Sequence, residues 1–147
     1  METTSYDRLT DEERRLLDAA RAATDTAYAP YSGVRVGAAL QTAEGPITGA
    51  NVENGAYGST ICAERMAVGR ANAMGHRAFP AVALAATGNA LDQDRPVSPC
   101  GACRQVLHEM AMTSGTETRI LMAAPDSDEV TIATLAELLP LPFEPLG

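Results

Sequence analysis

The spacing of apolar residues predicts a helix followed by a β-hairpin in the first third of the chain. Apolar side chains recur every three to four residues after Thr10, which together with Glu13 has the sequence of a capping box at a helix start. Alternating apolar residues predict a strand at 34–42, and a turn at 43–46 leads into a returning strand at 47–52.

Helices and strands alternate through the remainder of the chain. The predicted elements are helices at 61–74 and 100–112, apolar strands at 82–86 and 119–124, and a short strand that the pattern allows at 130–132. A second capping box, Thr134 with Glu137, begins a last helix. This order predicts a single domain spanning 1–147, of the α/β class, with one mixed sheet between helices.

The composition fits a globular protein whose core is built from small side chains. Hydrophobic residues make up 46% and charged residues 20%, but aromatic residues only 4%. Small aliphatic side chains bury little area each, so association between copies is a natural way to bury more.

The net charge and the cysteines indicate which kinds of partner the protein binds and in which cellular compartment it works. The net charge is −8 and all eleven cations are arginines, which argues against binding a phosphate backbone. No apolar run approaches the roughly 18 residues of a membrane span, and the polar start at 1–7 lacks a signal-peptide region. We therefore expect a cytoplasmic protein with no nucleic-acid or membrane partner, whose three thiols hold a metal or perform chemistry.

Three cysteines are placed where thiolates are favoured. Cys100 and Cys103 are three residues apart at the start of one predicted helix, and Cys62 lies at the start of another. Helix N-termini carry partial positive charge, which favours the thiolate form. If the two helix starts converge, the three sulfurs could bind Zn²⁺.

The sequence offers no well-placed fourth ligand. His108 lies about 140° around the helix from Cys103, and His76 lies a full helix length from Cys62. Three protein ligands and one open position are typical of a catalytic zinc site. Glu64, in the first turn after Cys62, should project near the metal without binding it, where its carboxylate could move a proton between water and a leaving group.

Other interpretations of these residues remain open. The Cys-x-x-Cys pair alone could be a redox pair, and a histidine could close a structural zinc site. Zinc with three thiolates carries a net charge of −1, so a cation nearby would restore the acidity of bound water. Arg65 is the candidate for that cation and Arg104 the second choice, unless either is simply solvated.

The chain resembles a cytidine deaminase of the small, homotetrameric, three-cysteine type. Cys62-Ala63-Glu64 followed by Pro99-Cys100-Gly101-Ala102-Cys103 matches the zinc-deaminase signature. Further matching stretches are residues 28–32, 36–40, 51–54, 57–58, 65, 98 and 104–106, with a last match at 137–143.

The resemblance implies a fold, a cofactor and a reaction. The fold would be a three-layer α-β-α arrangement with a mixed five-stranded sheet. One Zn²⁺ per subunit would be held by Cys62, Cys100 and Cys103, with Glu64 as the proton shuttle. Cytidine and deoxycytidine would lose their 4-amino group as ammonia.

The resemblance also implies a substrate site shared between subunits. Asn51 and Glu53 match residues that hold the ribose, Ala63 lies beside the catalytic residue, and Arg65 matches the arginine that bonds the ligand thiolates. The remaining matches are Gly55, Ala56 and Tyr57, which would reach a neighbouring subunit's site, and Phe143, which would close over the base from another subunit.

One position departs from the family pattern. Val34 stands where relatives usually carry a phenylalanine that packs on the base, so we expect a roomier pocket that tolerates groups on N4 or C5. The nearest rival function is deamination of a related aminopyrimidine nucleoside or a nucleoside antibiotic. A non-catalytic zinc-binding module is a third hypothesis.

Overall fold

Six strands form one mixed sheet in the computed structural model, which describes residues 1–146. The strands are β1 (Glu2–Ser5), β2 (Arg35–Thr42), β3 (Gly45–Ala50), β4 (Ala81–Thr87), β5 (Arg119–Ala123) and β6 (Glu129–Thr134). The helices are α1 (Asp11–Ala23), α2 (Ala63–Ala73), α3 (Gly101–Ser114) and α4 (Leu135–Leu138). The strand order is β1-β6-β5-β4-β2-β3, in which β4 and β5 are parallel and the other neighbours antiparallel.

The expectation of five strands was wrong, because an additional strand lies at one edge of the sheet. β1 pairs antiparallel with β6, with Glu2 opposite Ile132 and Ser5 opposite Glu129. The sequence Glu-Thr-Thr-Ser has no apolar face, so backbone hydrogen bonds rather than a hydrophobic pattern define this strand. The short strand allowed at 130–132 is a full strand, β6, which pairs with both β5 and β1.

Helices cover both faces of the sheet, as expected for the three-layer α-β-α class. On one face α1 buries Leu16, Leu17 and Ala20 against alternate residues of β2, β4 and β5. On the other face α2 and α3 pack on the intervening residues of the same strands, in a cluster that includes Leu40 and Leu84. The alternation of side chains along each strand therefore separates two apolar layers.

Two glycines let helices approach the sheet at backbone distance. A Cβ at Gly49 in β3 would lie 2.4 Å from the Ala67 nitrogen and 2.7 Å from the Ala63 carbonyl oxygen of α2. At Gly37 in β2 a Cβ would lie 2.0 Å from the carbonyl oxygen of Ala20 in α1. Gly49 thus allows α2 to pack closely on β3, and the first turn of α2 carries Glu64.

The predicted helix starts are confirmed at both ends of the chain. Thr10 with Glu13, and Thr134 with Glu137, form complete capping boxes in which side chain and backbone bond reciprocally. No helix formed by residues 1–146 combines the length and apolar character needed to cross a membrane.

Candidate metal centre

Two helix starts bring three thiols together. Cys62 precedes the first residue of α2, Cys100 precedes the first residue of α3, and Cys103 is buried in the first turn of α3. Their sulfur atoms all lie within 4.8 Å of one another, and the Cys62 and Cys100 Sγ atoms are 3.9 Å apart. Four ligands at about 2.3 Å around a tetrahedral Zn²⁺ would have sulfurs roughly 3.8 Å apart, so the spacing fits zinc.

The environment of the thiols differs between the three positions. Burial raises the pKa of Cys103 and of Cys62. Burial opposes ionisation of Cys100 too, but the backbone N–H of Cys103 and the neighbouring thiols donate hydrogen bonds that lower its pKa overall. Three thiolates so close together need a cation, which is what a divalent metal would supply.

Glu64 lies beside the thiols as an unusually buried carboxyl group. Only 4% of the residue is exposed, and burial raises the pKa of its carboxyl group. The Cys103 thiol and the residue's own backbone N–H partly oppose that rise by hydrogen bonding to the carboxylate. Within the described residues, the group of side chains placed to bind a metal contains the three cysteines and does not include Glu64.

Arg65 has the position expected of a charge partner for a thiolate cluster. Its Nη2 donates to the Thr60 carbonyl at 3.0 Å, and interaction with the Cys62 thiolate raises the pKa of the guanidinium. Its Nε is buried with no hydrogen-bond partner within the described part of the chain. A buried, unpartnered donor beside three thiols fits an anionic metal-thiolate centre.

Within the described residues, neither histidine joins the thiol cluster. His76 Nε2 lies 3.2 Å from Glu44, and His108 Nε2 lies 3.3 Å from Glu144 without forming a hydrogen bond. Arg104, the second choice for the charge partner, donates instead to the carbonyls of Pro99 and Leu138, each at 2.8 Å.

A cleft of about 210 Å³ opens beside the thiols. Its lining is contributed by β2, by the loop after β3, by the start of α2 and by the segment before α3. The residues are Val36, Asn51, Glu53, Thr60, Cys62, Ala63, Glu64, Val97, Ser98 and Cys100. A second cleft of about 250 Å³ shares Glu53 and Thr60 and includes Tyr31 and Tyr57. Two of the proposed ligands, Cys62 and Cys100, therefore share one concave site with Glu64 and with the polar candidates Asn51 and Glu53, while the Cys103 thiol lies buried behind them.

Asn51 and Glu53 line the cleft, but both also hold the backbone around it. The Asn51 side chain accepts from the Val36 N–H at 2.8 Å and donates to the Val34 carbonyl at 2.9 Å. Glu53 accepts hydrogen bonds from the Tyr31 and Ser32 N–H groups and from the Ser32 hydroxyl. These bonds lower the pKa of the Glu53 carboxyl, and the Ser32 hydroxyl contributes most. The Asn51 and Glu53 side chains are thus held in fixed orientations.

Ala63 also lines the cleft beside the thiols, whereas the remaining substrate candidates lie outside it. Val34 is half-buried, and its carbonyl accepts from Asn51. Gly55, Ala56 and Tyr57 form an exposed turn, with the Tyr57 ring edge-on to Tyr31 at 6.2 Å.

Phe143 is 75% exposed and lines neither cleft. The structure therefore brings together the thiols, Glu64, Ala63, Asn51 and Glu53, but not Val34, the exposed turn or Phe143.

Several lining residues were not anticipated. Val36, Thr60, Val97 and Ser98 face the cleft, and the Thr60 hydroxyl also accepts from the Asn54 N–H at 3.2 Å. Ser98 falls within the stretch before Cys100, which is the one signal that could have identified it. Val97 carries no such signal, because the loop between β4 and α3 has no periodic pattern.

The comparisons with known proteins agree on one family. A family model described as the cytidine and deoxycytidylate deaminase zinc-binding region matches residues 10–115. A cytidine deaminase of Halalkalibacterium halodurans is 42% identical over 133 residues, which cover 90% of this chain and 94% of that protein.

A solved structure and a more distant relative extend the comparison. The crystal structure of cytidine deaminase from Burkholderia pseudomallei is similar with a TM-score of 0.77 and 39% identity, covering 92% of this chain and all of that one. A blasticidin-S deaminase of Bacillus cereus is 30% identical over 112 residues, which cover 74% of this chain and 76% of that protein.

Proposed function

Because the chain belongs to the cytidine and deoxycytidylate deaminase family, we propose that it is a zinc-dependent enzyme that hydrolyses cytidine and deoxycytidine to uridine and deoxyuridine, releasing ammonia. The observation that carries the proposal is one concave site in which three thiols at zinc-binding spacing meet a buried carboxyl group. The chain forms a single domain, 1–147, and the reaction belongs to pyrimidine salvage.

One zinc ion per subunit is held by Cys62, Cys100 and Cys103. Bound there, Zn²⁺ supplies a Lewis acid that makes water acidic enough to act as a nucleophile near neutral pH. Arg65 offsets the excess negative charge of the three thiolates through its guanidinium, whose buried Nε is free to donate.

Glu64 is the catalytic residue that moves protons. Its carboxylate accepts one proton from the attacking water and delivers it to N3 of the base. It then accepts the second proton of that water, from the hydroxyl now at C4, and delivers it to the amine, which leaves as ammonia. Because the proton is returned in each turnover, a single carboxyl group serves both directions. Burial raises the pKa of the Glu64 carboxyl, which makes the protonated form easier to reach than in an exposed glutamate and so supports this role.

Asn51 and Glu53 bind the ribose hydroxyls, and Ala63 contacts the base beside Glu64. Asn51 retains one amide hydrogen beyond the bond to Val34, and Glu53 retains acceptor capacity, so each can meet a sugar hydroxyl. The hydrogen bonds that hold both side chains to neighbouring backbone support this assignment, because a fixed partner loses little freedom when substrate binds.

The working form is a homotetramer with shared active sites. Large apolar side chains that remain exposed on one chain support assembly; they include Tyr31, Tyr57, Ile61, Met112, Leu141 and Phe143. In the assembly the turn formed by Gly55, Ala56 and Tyr57, together with Phe143, reaches a neighbouring subunit's cleft. The net charge of −8 supports a small nucleoside rather than a nucleic acid as substrate.

The enzyme works in the cytoplasm. Its three cysteines are all free, and their proposed function as metal ligands requires the reduced state. Oxidising compartments favour disulfides between such thiols.

A substrate panel tests the proposed activity and its specificity. Cytidine and deoxycytidine should be deaminated and the free base cytosine should not, because the ribose site would be unfilled. A panel that includes blasticidin S decides the second candidate, deamination of a nucleoside antibiotic, which the similarity to blasticidin-S deaminase favours. Turnover of the antibiotic without turnover of cytidine would support that candidate instead.

Val34 allows the enzyme to accept cytidines enlarged at N4 or C5. It is two residues from the cleft residue Val36, and its carbonyl accepts from Asn51. Val34→Phe should lower kcat/KM for N4-substituted cytidine relative to cytidine. An unchanged ratio between the two proteins would contradict this assignment.

A further inference from the structure

The tail after α4 is bonded to α3, the helix that carries the Cys103 thiol. The Gln105 side chain makes two hydrogen bonds to the backbone of Phe143. The Gln105 Nε2 donates to the Phe143 carbonyl at 2.9 Å, and the Phe143 N–H donates to the Gln105 Oε1 at 3.0 Å. The neighbouring Arg104 donates to the Leu138 carbonyl at 2.8 Å. The tail is therefore held to α3 at Phe143, and the end of α4 from which it leaves is held to α3 at Leu138.

Prolines make this tail stiff between and beyond those points. Pro140, Pro142 and Pro145 each fix one backbone torsion, and each disfavours helical geometry at the residue before it. In a stiff segment, a bond at one residue determines the direction of its neighbours as well. The two bonds from Gln105 thus fix both the place and the direction of Phe143.

The side chain of Phe143 is exposed although its backbone is fixed. Its ring is 75% exposed and lines neither cleft of its own chain. A hydrophobic ring held in a defined position but unburied is preorganised for contact with another molecule, because its ordering precedes binding.

We infer that Gln105 is a positioning residue that fixes the Phe143 backbone so that the ring enters the base-binding cleft of another copy of this chain. The inference rests on the proposed function, in which Phe143 closes over the base in a neighbouring subunit. Gln105 touches no substrate and acts through Phe143. The two bonds it makes are to the backbone, so the same clamp would present any side chain at position 143.

Steady-state kinetics separate this role from a purely structural one. Gln105→Leu removes both bonds at similar size, and we expect KM for cytidine to rise on the order of tenfold with kcat within about twofold. In a Phe143→Ala background the same substitution should change KM by less than about twofold, because the two residues act as one unit. Gln41→Leu is the matched control and is expected to leave KM unchanged, since within residues 1–146 the Gln41 side chain bonds only the Thr42 carbonyl, at 3.3 Å.

A fluorescent reporter tests the position of the ring without using activity. The chain contains no tryptophan, so Phe143→Trp introduces a single indole. With Gln105 present, we expect blue-shifted emission and weak quenching by acrylamide in the assembled protein. Adding Gln105→Leu should shift the emission to the red and raise the quenching constant at least about twofold.

Three results would overturn the role of Gln105: an unchanged KM in Gln105→Leu, effects of the two substitutions that multiply independently, or an indole equally shielded in both backgrounds. Failure of the wild-type protein to deaminate cytidine would contradict the proposed function instead. In that case the quenching comparison still decides whether Gln105 positions residue 143.

Discussion

Individual side chains around the thiols determine what the centre can do. Burial raises the pKa of the Glu64 carboxyl, while the adjacent Arg65 guanidinium interacts with the Cys62 thiolate. The two residues are neighbours in sequence, but the proposed function gives them different roles: Glu64 exchanges protons and Arg65 balances charge. Their substitution should therefore affect different quantities.

Replacing Glu64 should abolish turnover while sparing the metal. In Glu64→Gln the amide cannot exchange the proton, so kcat for cytidine should fall by about a hundredfold or more. Zinc content should stay near one per chain, because the carboxyl group is outside the ligand set. Paired assays of ammonia release and metal content measure both.

Glu109→Gln is the matched control for that substitution. Glu109 is exposed on α3, so its kcat should equal that of the wild type. Loss of zinc from Glu64→Gln would show that Glu64 is a metal ligand. Retained turnover would show that Glu64 takes no part in catalysis.

Replacing Arg65 should weaken metal binding. Arg65→Gln removes the charge that faces the thiolates, and changes to such supporting partners weaken metal affinity by about 10- to 100-fold. Competition with a chromophoric chelator measures the shift. Arg70→Gln is the control, because Arg70 lies on the exposed side of α2 and bonds Thr48. Equal zinc affinity in the two variants would contradict the role given to Arg65.

At the level of elements, the close packing of α2 against β3 determines where the first turn of α2, and with it the site, lies. Gly49→Ala would place a methyl group against the α2 backbone, which cannot yield as a flexible side chain can. We expect unfolding free energy to fall by about 1–3 kcal/mol from overpacking, together with weaker zinc binding. Thermal unfolding and chelator competition measure the two effects.

For Gly69→Ala on the same helix we expect the unfolding free energy to change in the opposite direction. Nothing lies within 4 Å of a Cβ at Gly69, so the higher helix propensity of alanine should raise stability by roughly 0.5–1 kcal/mol. A similar change of stability in both variants would show that the close approach at Gly49 is unimportant.

The sequence predicted the elements that have a periodic pattern or a cap. The capping boxes at Thr10 and Thr134 and the alternation in β2 are local features, and local features determined these elements. β1 could not be predicted, because its polar residues form a strand only by pairing with β6, more than a hundred residues away. The five-strand expectation failed for that reason.

The metal centre was predictable to the extent that its residues lie near helix starts. Cys62, Cys100 and Glu64 follow from local spacing, and their convergence follows from the packing of two helices on one face of the sheet. The bonds of Asn51 to the backbone of Val34 and Val36 were not predictable, because they depend on the register of β2 and β3.

At the scale of the whole molecule, assembly should complete the site. The chain leaves Tyr57 and Phe143 at least three-quarters exposed, and the proposed tetramer would bury both. Light scattering should give a mass four times the 15.4 kDa of one chain. A monomeric protein with full cytidine turnover would contradict the shared site.

The central claim is that one zinc ion held by three thiolates enables this chain to deaminate cytidine. The most direct measurement is ammonia release from cytidine while zinc is titrated into metal-free protein. We predict no turnover without metal and a proportional rise that reaches its plateau at one zinc per chain. Full turnover by the metal-free protein would contradict the account.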